Sequence, residues 1–213
     1  LVFAQLGAAN DCCIDSCCGR KNTIEVFGLT NSIVFIFILI FMLKVNIRTS
    51  LINEYSKANT MRLVAYIDCN QTRFDELIDV VLDEDKDLEK RAAWVLGHSG
   101  THCPDLAYKH FRVLIDKLKT PDVGDSAKRN TLRVWQFLEI PEEYIGEVTD
   151  MCFDFLMSTK EPIAIKVFSM SILSNIVQKI PELKNELRLV IEDQMPYGSA
   201  GFKSRGNKIL KGL

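Results

Sequence analysis

From Ile47 onward, apolar residues recur three and four positions apart in one segment after another, with polar residues filling the remaining positions. Phe111, Leu114, Ile115 and Leu118 form one such stripe; Ile145, Val148, Cys152, Phe155 and Leu156 form another. The pattern predicts a first helix over 47–67 and then four helix pairs. These are 72–82 with 85–99, 104–119 with 123–138, 142–158 with 162–179, and 182–195 with 200–210. Pro104, Pro121, Pro141, Pro162 and Pro181 stand at or just before segment starts, where a missing N–H costs nothing and the fixed φ suits the first turn. Pro196 instead stops a helix before the 198–201 turn. Joints this short make consecutive helices antiparallel.

The polar positions carry a second, longer rhythm. Arg91, Arg129, Lys166 and Arg205 follow one another at separations of 38, 37 and 39 residues. A two-helix unit repeated about every 40 residues cannot bury its own apolar face and must stack on its neighbours. The segments E-K-R-A-A-W-V-L-G-H (89–98), A-K-R-N-T-L-R-V-W-Q-F-L (127–138) and I-A-I-K-V-F-S-M-S-I-L (163–173) resemble HEAT repeats of the armadillo-type superfamily. Asp85, six residues before Arg91, matches the family's Asp–Arg pattern; Val123 and Lys160 replace that Asp before Arg129 and Lys166. The resemblance covers roughly 70–213 and implies an all-α fold, a right-handed α-solenoid of about four HEAT-like helix pairs plus an N-terminal helix, in a repeat domain expected over 47–213. It also implies that second helices line a concave face and that Asp–Arg pairs join successive repeats in part. HEAT proteins share stacking and not a substrate, so no cofactor follows from it.

Composition averages two unlike parts. The chain is 47% hydrophobic and 25% charged, as globular proteins are. Beyond residue 41 it holds 24 basic and 25 acidic side chains, so no charge excess favours nucleic acid. Cys69, Cys103 and Cys152 are far apart in sequence and read as reduced core residues of a cytosolic protein. Cys12, Cys13, Cys17 and Cys18 crowd into seven residues, yet no histidine stands near them and no zinc pattern is completed, so no metal is assigned. An 11-residue apolar run lies within 26–43, short of the roughly 20 residues a span needs. The expectation is that 1–41 form a non-domain extension, with translation starting at Met42, and that the protein is cytoplasmic. The alternative is a membrane anchor over 26–43.

Candidate chemistry lies on the repeat helices. Arg91, Trp94 and His98 share a stripe with Asp87; Arg129, Arg133 and Trp135 occupy the next repeat beside Asp125. Lys166 follows, and Lys203 and Arg205 stand at a glycine-flanked helix start able to receive an anion. Together these nine residues form a candidate binding track for a partner's carboxylate, phosphate or aromatic groups. Asp87 with Arg91 and Asp125 with Arg129 also have the i, i+4 spacing of structural ion pairs. His98, His102 and His110 join no nucleophile elbow and no H-E-x-x-H motif, and no catalytic residue is assigned. The expected function is a non-catalytic scaffold that binds another macromolecule, most simply a protein. One alternative is a DNA-binding protein similar to the HEAT-like alkylpurine DNA glycosylases; another is a membrane-anchored adaptor.

Overall fold

The computed structural model describes residues 45–213, which form one compact unit. The expectations for 1–41 and for an anchor over 26–43 lie outside the described residues. Among those described there are ten α-helices and no strand. They are α1 (Ile47–Asn53), α2 (Lys57–Ile67), α3 (Gln71–Val81), α4 (Lys86–His102) and α5 (Phe111–Leu118), followed by α6 (Asp125–Trp135), α7 (Ile145–Met157), α8 (Ile163–Val177), α9 (Lys184–Gln194) and α10 (Ala200–Gly212).

The expected single helix over 47–67 is two helices, because side chains satisfy the backbone better at a break. Glu54 turns extended, and the Asn59 amide donates to the carbonyls of Ser50 (2.9 Å) and Glu54 (2.8 Å) at the end of α1. Ser56 then caps α2 by accepting from the Asn59 N–H at 3.0 Å. Asn46, Asn70, Asp85 and Ser199 cap α1, α3, α4 and α10 in the same way. The first helices of the later pairs start differently. Short 3₁₀ segments over Pro104–His110, Glu142–Tyr144 and Pro181–Leu183 lead into α5, α7 and α9, so those helices are shorter than expected.

The outcome is five helix pairs in two layers. α2, α4, α6, α8 and α10 touch in unbroken series, and each packs on the helix before it. One apolar cluster runs through the stack from Ile47 to Ile209. Phe111 lies between Trp135, at 5.0 Å and 17° between planes, and Tyr144, at 6.0 Å and 15°, which ties the third pair to the fourth. Tightest of all is the seam between α4 and α6, where Gly97 and Gly100 let the side chains of Asn130 and Val134 approach the α4 backbone.

Polar contacts between repeats also recur about one unit apart. Buried Glu89 accepts from the Gly124 N–H at 3.1 Å and lies 2.7 Å from Lys117 Nζ. Arg112 reaches Glu147 at 2.8 Å, Lys128 pairs with Glu161, and Gln194 donates to the Leu156 carbonyl at 2.9 Å. These are the rungs that the Asp–Arg pattern was expected to supply. Asp85 is instead the α4 cap, and Arg91 donates to the carbonyls of Leu51 (2.7 Å) and Ile52 (3.1 Å), closing the end of α1.

Of the three cysteines expected in the core, Cys69 is exposed and Cys103 only partly buried. Cys69 and Cys103 form a disulfide, with Cα atoms 5.4 Å apart across 34 residues of sequence. Repeat stacking brings together positions one unit apart, which sequence separation alone concealed. Among the described cysteines only Cys152 is buried and free, and burial pushes its thiol up to about 12. The reading of Cys69 and Cys103 as reduced core thiols, on which the cytoplasmic expectation leaned, is thereby corrected.

Candidate functional site

Among the described residues, two surfaces gather the side chains singled out for binding. The first is a ridge across α2, α4 and α6. Trp94 meets the half-exposed Tyr55 ring edge-on at 5.8 Å, His98 lies 6.2 Å beyond Trp94, and the Arg91 guanidinium sits 5.2 Å over Tyr55. His98 is held below the ordinary histidine pKa, first by burial and then by the positive charges of Arg133 and Lys57. A neutral imidazole among cations and rings is suited to recognition by stacking and hydrogen bonding. The structure thus brings Arg91, Trp94, His98 and Arg133 to one region. Arg91 is committed to the Leu51 and Ile52 carbonyls and makes no ion pair with Asp87; Arg129 is exposed and makes none with Asp125. Among the described residues, the guanidinium groups of Arg129, Arg133 and Arg205 have neither an ion pair nor a hydrogen bond.

Trp135 does not belong to this surface. It is fully buried against Phe111, and the expectation that it forms part of a binding track is corrected. Its apolar bulk at an inward position of α6 explains the placement: Trp135 lies one turn from the buried Leu132 and stacks on Phe111.

The second surface is a groove of about 870 Å³ at the C-terminal end, between the α7–α8 and α9–α10 joints. Met157 (51% exposed), Ile163 (50%), Leu189 (66%) and Tyr197 (92%) stand around it, with the buried Phe202 at its base and the exposed Asp193 at its side. Lys166 lines the same groove. Its ammonium donates to Gln194 Oε1 at 2.8 Å, and burial pushes its pKa down while Glu161 partly offsets the shift. Gly198 is required here by close approach, since a Cβ would lie 2.7 Å from the Phe202 ring and 3.2 Å from the Gln194 carbonyl. Lys203 donates to the Pro196 carbonyl at 3.2 Å, so it closes the turn after α9, and the expected anion cradle has one cation engaged elsewhere.

The apolar groove residues were missed in the sequence, although Leu189 carried a signal. Leu187 and Ile191 are the buried positions of α9, so a leucine between them falls off the inward stripe. Tyr55 escapes the sequence pattern because it stands in the break between α1 and α2, which helix periodicity over 47–67 does not mark.

Stacked helical hairpins with a continuous second-helix layer and inter-repeat polar rungs define an α-solenoid. The HEAT repeat domain family matches residues 47–213, most of the chain, and the protein belongs to that family. No curated protein and no solved structure matches it. Among the described residues no helix is long and apolar enough to cross a membrane.

Proposed function

We propose that this HEAT repeat protein is a non-catalytic scaffold whose C-terminal groove receives an amphipathic segment of another protein. The groove carries this reading. Single exposed apolar side chains are ordinary, but Met157, Ile163, Leu189 and Tyr197 surround one concavity. A groove between helix joints suits a helix that presents apolar anchors three and four residues apart. Asp193, exposed at the groove's side, favours a cationic residue at the segment's edge.

The test is capture of a partner with the full chain, identification of its bound segment, and titration of the purified segment against variants. Leu189→Asp and Met157→Asp are expected to weaken binding by about tenfold to a hundredfold each, since each removes roughly 1.5–3 kcal/mol of apolar burial. Unchanged binding by both variants overturns the groove. The DNA reading keeps the unpaired Arg129, Arg133 and Arg205 but has lost Trp135 to the core, and no catalytic carboxylate is matched. Absence of DNA binding at low salt ends it.

A further inference from the structure

Away from both surfaces, three metal-ligating side chains converge where the α2–α3 joint meets the end of α4. One ligand atom from each of Cys69, His102 and Cys103 lies within 4.8 Å of the other two. Cys69 and His102 are exposed and Cys103 is partly buried, so an ion from solvent can reach all three. Asp68 and Cys69 have φ of 35° and 54°, a left-handed turn of two non-glycine residues that sets Cys69 beside Cys103.

Contacts other than the sulfur–sulfur bond hold this joint. Gln71 donates to the Leu106 carbonyl at 3.2 Å, His110 Nε2 lies 2.7 Å from Asp75 Oδ1, and Lys109 pairs with the same carboxylate. These bonds run between the segment after Cys69 and the segment after Cys103. Opening the disulfide therefore leaves the two thiols side by side, with the imidazole next to them.

We propose that the reduced form of this cluster is a surface zinc site, with the Cys69 and Cys103 thiolates and one His102 ring nitrogen as ligands and solvent in the fourth position. Two sulfurs, one nitrogen and an open side form a ligand set that Zn²⁺ accepts. The chemistry balances with a dithiol reductant. That reductant gives two electrons and two protons to the disulfide, yielding two thiols, and itself becomes a disulfide; Zn²⁺ then displaces the two thiol protons to solvent. Metal and disulfide use the same sulfurs and exclude each other. Zinc occupancy then reports the redox state of the joint between successive repeats.

The experiment uses the full chain with Cys12, Cys13, Cys17 and Cys18 replaced by serine, so that those thiols do not compete. The reduced protein is titrated anaerobically with Co²⁺ and then with Zn²⁺. One equivalent of Co²⁺ with a thiolate-to-cobalt charge-transfer band, displaced by Zn²⁺, is expected. Oxidised protein should bind none. Cys69→Ser should abolish the band, and His102→Ala should weaken Zn²⁺ binding on the order of tenfold or more and shift the ligand-field spectrum. Circular dichroism confirms that each variant remains helical. Failure of the reduced, helical parent to produce the band overturns the proposal, as does unaltered affinity in His102→Ala. Uptake of Cu⁺ but of neither Co²⁺ nor Zn²⁺ overturns the four-coordinate assignment.

Discussion

Gly100 and Val134 meet across the α4–α6 seam with no room for another carbon: a methyl group on Gly100 would lie 2.5 Å from Val134 Cγ2 and 2.9 Å from Cγ1. Val134 is buried and β-branched, so its side chain cannot turn aside. Two effects of Gly100→Ala compete. Alanine gains about 1 kcal/mol of helix propensity, whereas overpacking a rigid seam costs about 1–3 kcal/mol. The steric effect wins, and urea unfolding should show a net loss of about 1 kcal/mol. Gly146, in α7 with open space around it, is the control: Gly146→Ala should stabilise slightly.

Arg91 and Arg129 occupy equivalent places in the repeat yet do different work. Arg91 satisfies two carbonyls at the end of α1, and hydrogen bonds from a charged donor are worth about 1.5–3 kcal/mol at most. Partial exposure reduces this, so Arg91→Ala should cost about 1–2 kcal/mol in chemical denaturation. Arg91→Lys should recover only part, because a lysine ammonium lacks the planar guanidinium that lies over the Tyr55 ring while one of its nitrogens serves both carbonyls. Arg129→Glu should leave stability within about 0.5 kcal/mol of the parent.

Acid should weaken the joint that holds Asp75. Burial pushes this carboxyl up, but hydrogen bonds from Lys109, Gln71 and His110 outweigh burial and hold its pKa at about 2, below the ordinary 3.8. A depressed carboxyl contributes stability above its unfolded pKa and loses it as pH falls through the folded value. The window is thus from about pH 4 to about pH 2. Solvent screening leaves about 1 kcal/mol at this partly exposed pair. Unfolding free energies measured across that window should fall more steeply for the parent than for Asp75→Asn.

Thiol labelling should separate the described cysteines by environment. The buried Cys152, with its thiol pushed up to about 12, should resist alkylation until the chain unfolds. After mild reduction Cys69 and Cys103 should react first. Peptide mapping after a timed pulse of iodoacetamide reads the order; prompt modification of Cys152 in native protein would contradict its burial.

The architecture was legible because stacking is written in local terms. Apolar stripes such as Phe111 to Leu118, proline at segment starts and a cationic residue about every 40 positions all survive in the chain without three-dimensional information. What escaped depended on partners distant in sequence. The break before Ser56 hinges on the Asn59 amide reaching back to Ser50 and Glu54, and uninterrupted helix periodicity masked it. Cys69 and Cys103 become neighbours only when repeats align. Trp135 and Trp94 are the same residue type on successive second helices, yet one is stacked under Phe111 and the other lies at the surface beside Tyr55. Helical spacing named Arg91, Trp94, His98 and Arg133 of the ridge but not Tyr55, and it could not say which were already occupied by the fold.

The sulfur link between Cys69 and Cys103 also changes how the protein would bear a load. Pulled from its two ends, the chain carries tension across the bridge, and α3 and α4 lie in the slack between the two anchor points. Those 34 positions of separation correspond to roughly 115 Å of contour that tension cannot draw out while the bridge is closed. Reduction would release that length, so the bridge withholds one repeat's worth of chain from any extension under load.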